Sequence, residues 1–307
     1  MDDISKYFDF EGTILKKIIV TPAGRKQYLD ILSKYLIYYH NLGEFDEWHL
    51  WCNTDVSEDV KCIYDLEKNN SFIKVVPTPT AEEIATTCNC DKLWHEGSQL
   101  VYSCTIPYFI RVDSTDKDSV YLRLDDDIVF IKKDSIKKLF EFRLNHLDNF
   151  LVYGNIVNNA VLSNIHQNIG ALDYALGTVR FDAFDYLGIY SGQFAQYVHN
   201  NFFNKYEKGL LDQYLFEPFE LSDYSKISIQ AISYTGESYS KFDGIIPVGV
   251  HEEDYQSCIR PEIENKKNII FGDSLFCHYA SGLHRGYIET TNILSRYKKL
   301  VDEYLGE

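Results

Sequence analysis

Apolar and polar residues follow two alternating periods through the first half of the chain. LKKIIVTP (15–22) is a compact apolar run closed by Pro22, and Gly24 opens a turn into a stretch where Leu29, Leu32, Leu36 and Tyr39 recur at helical spacing. A strand and an amphipathic helix are expected in succession. EWHLWCNT (47–54) reads as a second strand ended by Asn53 and Thr54, residues 57–68 as a helix, and FIKVV (72–76) as a third strand closed by Pro77 and Pro79. A helix over roughly 96–112 leads into the apolar run VYLRLDDDIVFI (120–131). Beyond it come a helix over 135–144 and a strand over 150–160. Strands alternating with helices predict a mainly parallel sheet with ligands beyond its carboxyl ends. From about 160 to 245 the pattern loosens into Tyr-, Phe- and Asn-rich segments with irregular helices. No internal repeat or long linker divides the chain, so one continuous unit is expected.

The run at 120–131 is anomalous. Asp125, Asp126 and Asp127 interrupt an apolar stretch that otherwise reads as a buried strand, and strands are depleted in Asp. On an extended chain Asp125 and Asp127 share one face and can reach one hard divalent cation, with Asp126 pointing the other way. A solvated acidic turn between two strands is the bland alternative. The scarcity of Gly, Pro, Asn and Ser around the triplet argues against it. Unpaired carboxylates in a poorly solvated place need a counter-charge.

Composition narrows the classes. At 307 residues and 45% hydrophobic content the chain can bury a large core. It has no run of about eighteen apolar residues, and its opening MDDISKYFDFEGT lacks the features of a signal peptide, so a cytoplasmic protein without a transmembrane segment is expected. The net charge of −16 opposes nonspecific nucleic-acid binding, so a phosphate-bearing ligand needs a metal or a local basic group. Seven cysteines without repeated spacing read as reduced thiols. Cys88 and Cys90, near Asp91 and His95, lack the second pair that a zinc site requires. The 24 tyrosines suit sugar rings and bases, or reflect a compositional habit; both readings stay open.

The ordered set TPAGRKQYL, WHLWCNTD, LRLDDDIVFI and the late segment NIIFGDSLFCHYASGLHRGYI resembles the metal-dependent glycosyltransferases of the GT-A type. The resemblance implies an α/β, Rossmann-like, mainly parallel sheet flanked by helices, in a single domain over 1–307. A nucleotide-binding half would cover about 1–133 and an irregular acceptor-side half about 134–307. It also implies an Asp-x-Asp motif, Asp125 and Asp127, holding Mn²⁺ or Mg²⁺ against the diphosphate of a UDP- or GDP-sugar, with His278 as third ligand. Gly282 and Arg285 depart from the spacing of the glycogenin-like branch. Arg25, Arg111, Arg123 and Arg285 are candidates for phosphate contact. Arg123 could equally balance the acids. Asn53 and Asp55 are candidates for base or ribose contact, with helix capping as the alternative for Asp55. Asp126 completes the donor-side set.

In the inverting members of that family a carboxylate before a late helix acts as general base on the acceptor hydroxyl. Glu253 or Asp254 of HEED (251–254) resembles it, the alternative being the acidic first turn of a helix. Asn155, Asn158, Asn159, His166 and Gln167 offer paired donors and acceptors for sugar hydroxyls, or serve as loop and cap residues. An inverting transfer to a glycan or other hydroxyl is favoured over a retaining, glycogenin-like one. A noncatalytic carbohydrate- or metal-binding module is the alternative of a different class. A haloacid-dehalogenase-like phosphatase would need Gly-Thr where Ile128 and Val129 stand, and an EF-hand would need a Gly and a distant Glu that residues 125–136 lack.

Overall fold

The computed structural model describes residues 15–88, 99–247 and 250–306. Nine strands form one sheet: β1 (Lys16–Ala23), β2 (Glu47–Cys52), β3 (Ile73–Val76), β4 (Ser119–Leu124), β5 (Ile128–Ile131), β6 (Val152–Val157), β7 (Phe219–Glu220), β8 (Ala231–Thr235) and β9 (Ile269–His278). Their order is β3-β2-β1-β4-β8-β6-β9-β5, with β7 paired to β9. The pairs β1/β2, β2/β3, β1/β4 and β6/β9 are parallel, whereas β8 runs antiparallel between β4 and β6. This is the expected α/β architecture, a mostly parallel, curled, Rossmann-like sheet flanked by helices.

The chain builds outward from β1 to β2 and β3, then returns to place β4 on the other side of β1. That reversal puts a topological switch point beyond the carboxyl ends of β1 and β4, the place where open α/β sheets receive ligands. The strands are apolar on both faces because helices cover them; every residue of β4, β5 and β6 is buried. On one face, the helix Lys26–Asn41 buries Leu29, Leu32, Leu36 and Tyr39, the positions that its periodicity marked. Among the described residues no helix is long and apolar enough to cross a membrane.

The local expectations hold with three physical corrections. β1 runs through Pro22 to Ala23. The missing proline N–H is tolerated there because the ladder to β4 has already ended at Val20 opposite Arg123. The acids do not lie on an extended strand: the Ile128 N–H donates to the Asp125 carbonyl at 3.2 Å, so the triplet is a turn between β4 and β5. The turn of the bland alternative is therefore present, but its solvation is not: Asp126 is 2% and Asp127 1% exposed, and only Asp125 is partly exposed. Thirdly, the stretch from 160 onward holds the sixteen-residue helix Gly192–Glu207, and residues after 134 contribute β6 to β9 to the common sheet. The Cys88–Cys90 pair and the start of the helix expected near 96 lie outside the residues whose side chains are described.

β9 is bent, and its bend builds the site. It pairs with β6 from Ile269 to Phe271, skips three residues, and resumes from Leu275 to Cys277. The chains approach closely at this break: a Cβ on Gly154 would lie 2.8 Å from the Phe276 ring. Past the bulge, the end of β9 pairs with β5, which sets His278 opposite Ile128, the residue that follows the acids.

Candidate active site

Asp125, Asp127 and His278 meet at the carboxyl ends of β4 and β9, each offering a ligand atom within 4.8 Å of the others. Two carboxylates and an imidazole suit a divalent cation, Mn²⁺ tolerating the nitrogen better than Mg²⁺. The set fits the ion that the sequence resemblance implies.

The three aspartates have different partners. Asp127 lies within 3.3 Å of Arg25 Nη2, accepts from Arg285 Nη2 at 2.8 Å and faces His278 Nε2 at 3.3 Å. Burial opposes its ionisation, but the imidazole and the two guanidiniums outweigh burial and hold its carboxyl well below the usual range. Asp126 is not among the three clustered ligand residues. It accepts the Gly24 N–H at 3.0 Å and is bridged by Arg25 through Nε and Nη2, so it locks the loop after β1 onto the acidic turn. Asp125 is the most exposed of the three, 3.5 Å from Arg123 Nη2. Burial raises the carboxyls of Asp125 and Asp126, against the lowering effect of Arg123 on the first and of Arg25 on the second.

Arg25 and Arg285 lie 5.1 and 5.4 Å from the centre of the Tyr28 ring, which shares both cations with the Asp127 carboxylate. Tyr28 donates to Glu289 at 3.0 Å. Arg123 is buried between Asp125 and Glu252, and Gln256 donates to the same Glu252 oxygen at 2.7 Å. It therefore balances the acids, which is the structural alternative weighed for it. Tyr28 and Glu252 escaped the sequence analysis, since neither residue type is unusual in its local context.

Other residues expected at the site separate into two groups. Asn53 ends β2 beside Gly24: a Cβ on Gly24 would lie 2.9 Å from the Asn53 carbonyl, and Asn53 Oδ1 accepts from Thr105 at 2.7 Å. Asp55 is exposed just beyond, and the next helix, Ser57–Asn69, has Val56 at its N-cap. Arg111 is not brought to the site. Its helix, Gln99–Asp113, runs from Thr105 beside Asn53 down to Asp113, which meets His49 at 2.8 Å in the body of β2. Arg111 lies two residues before Asp113, and its backbone packs on Gly244. The direction of a crossover helix keeps Arg111 from the site.

Glu253 and Asp254 sit in a short helical turn and share Lys226, at 3.2 and 2.7 Å. The amide cluster serves the fold: Asn155 donates to the Tyr214 and Gly272 carbonyls, His166 bonds Asn155, and Gln167 donates to the Gly177 carbonyl. Asn158 and Asn159 are different. Asn158 donates to the carbonyls of His278 and Tyr279, while Asn159 caps the helix Ala160–Asn168 and reaches Gln230. Gln230 in turn touches His278 Nδ1 at 3.2 Å, and its carbonyl accepts the Asp125 N–H at 3.0 Å. One residue therefore braces both sides of the Asp–His cluster.

No known family and no curated protein matches the sequence. Among solved structures, CMP:2-keto-3-deoxy-manno-octonic acid synthetase complexed with CTP is similar, with a TM-score of 0.43 and 11% identity over 92% of this chain and 99% of that one. A likeness at that level carries no weight for the chemistry of the site.

Proposed function

We propose that this chain is a divalent-metal-dependent glycosyltransferase of the GT-A type, moving a sugar from a nucleotide-diphosphate donor to a hydroxyl acceptor. The observation that carries the reading is the convergence of Asp125, Asp127 and His278 beyond the carboxyl end of β4. These residues would hold Mn²⁺ or Mg²⁺, which supplies positive charge to the departing diphosphate. Arg25 and Arg285, already at the rim, supply guanidinium donors for phosphate oxygens. Asn53 and Asp55, at the end of the neighbouring strand, are assigned to the nucleoside.

The acceptor side is assigned to the second half of the chain. Glu253 or Asp254 takes the proton of the attacking hydroxyl, with Lys226 fixing both carboxylates. The Lys226 ammonium also lies 4.6 Å from the Phe184 ring, which is exposed. Close by in sequence, Tyr186 and Tyr190 stack at 5.9 Å on a short helix whose Ile189 carbonyl accepts from Ser281, four residues before Arg285. Exposed aromatic faces with polar tips suit a glycan acceptor.

The test is release of free nucleotide from UDP- and GDP-sugars by the purified protein, with Mn²⁺ and with a chelator. Metal-dependent release supports the reading. Pyrophosphate release from nucleoside triphosphates in its place reassigns the same site to nucleotidyl transfer. Glycan binding that survives chelation, with no turnover, makes it a binding module.

A further inference from the structure

A backbone amide fixes the direction of a chain of hydrogen bonds that ends on His278. Asn159 Oδ1 accepts the Leu162 N–H at 3.1 Å as the cap of its helix. A backbone N–H only donates, so the other end of this amide is the NH₂ group. It donates to Gln230 Oε1 at 2.8 Å. Gln230 Nε2 is left as a donor, 3.2 Å from His278 Nδ1. The ring nitrogen that accepts it carries no proton.

We infer that Gln230 and Asn159 are positioning residues that hold metal-free His278 as its Nε2–H tautomer, with the Nε2 proton directed at Asp127. The distance from Nε2 to Asp127 Oδ2 is 3.3 Å. A second setting is built beside the first: the Asn158 carbonyl lies 3.4 Å from the same Nδ1 and can accept a proton there. Asn158 holds a left-handed backbone, φ 65°, and its side chain is anchored on the His278 and Tyr279 carbonyls. Moving one proton through solvent from Nε2 to Nδ1 changes no net charge and frees the Nε2 lone pair. Resting on the metal reading above, this means that the ion binds the minor tautomer and that the amide relay lowers its affinity.

The tautomer is read directly from ring-nitrogen shifts of the neutral ring in ¹⁵N-histidine-labelled, metal-free protein followed over a pH series. His278→Gln assigns its signals. Wild type shows an unprotonated Nδ1 and a protonated Nε2. Asn159→Asp keeps the Leu162 cap but offers only acceptors, so the Gln230 amide turns over and the tautomer inverts. Gln230→Glu inverts it directly, and Mn²⁺ binds both variants roughly tenfold more tightly than wild type. A protonated Nδ1 in metal-free wild type overturns the inference, as does an unchanged ring in both folded variants. Inversion in the variants with no Mn²⁺ bound by any form supports the relay and overturns only the metal reading.

Discussion

Tyr279 donates its backbone N–H to the Asp127 carbonyl at 2.9 Å, and this bond clamps the end of β9 to the acidic turn. It is the reason that His278, 151 positions after Asp127, stays beside that carboxylate. The clamp ties the proposed metal site to the end of β9, so variants of its side chains should separate binding from folding only where the side chain carries no structural ion pair.

Asp127 and Asp125 differ on that point. Repulsion among the three acids would make Asp127→Asn harmless to the fold, but the carboxylate neutralises Arg25 and Arg285 in a buried place. Breaking such a set by removing one partner should cost roughly 2–4 kcal/mol. Asp125→Asn, which relieves a carboxyl raised by burial, should change stability by less than about 1 kcal/mol. Both should lose Mn²⁺ binding. Urea unfolding of the two variants side by side checks the contrast, and equal destabilisation would contradict it.

Gly24 tests the junction of the first two loops. Its Cα faces the Asn53 carbonyl so closely that a methyl group would stand 2.9 Å away. Gly24→Ala should push the β1 and β2 loops apart and weaken nucleotide binding by roughly tenfold, with Mn²⁺ binding to Asp125 and Asp127 retained. Calorimetry with nucleotide and with metal alone separates the two effects.

Away from the site, Glu44 predicts a pH dependence of stability. Burial pushes its carboxyl up to about 7, against the lowering effect of the Lys137 N–H that donates to it at 3.1 Å. The folded value is above the unfolded one, so the stabilising contribution is complete below the unfolded value and is lost as pH rises through about 7. Glu44→Gln keeps the acceptor and removes the titration. Between pH 4 and pH 8 wild type should lose on the order of 2 kcal/mol relative to this variant in urea unfolding. Parallel curves would contradict the assignment.

For the acceptor side, Glu253→Gln and Asp254→Asn should separately reduce kcat, the true base by at least roughly 100-fold, with donor affinity within about twofold of wild type. An α-linked donor should give a β-linked first product, read by proton NMR. An α-linked product reverses the inverting assignment and leaves these acids as the helix turn paired to Lys226.

The features legible in the sequence are those whose signal is local. The triplet stood out because acids interrupt an apolar run, His278 because it closes one, and Asn53 because a strand end announces itself. Arg111 was misplaced because its helix was taken as leading into the acidic strand, without regard to its place near the carboxyl end of a crossover helix, the end farthest from the strand ends that hold the site. Gln230 matters through a nonlocal event: β8 inserts antiparallel between β4 and β6, bringing Gln230 beside Asp125. The bulge in β9 between its two stretches of parallel pairing with β6 is equally silent in the sequence, since it lies where Gly154 faces Phe276 across the sheet. The acidic turn was read as extended because apolar residues flank it and the usual Gly or Pro is absent, although aspartates are themselves turn formers.

The central claim is that Asp125, Asp127 and His278 hold a divalent ion that in turn binds the diphosphate of a nucleotide-sugar. Isothermal titration calorimetry with UDP, GDP and CDP, each with and without Mn²⁺, tests it most directly. One nucleotide should bind at least roughly tenfold more tightly with Mn²⁺, and that gain should vanish in Asp125→Asn. Equal affinity with and without the metal for all three nucleotides would contradict the account.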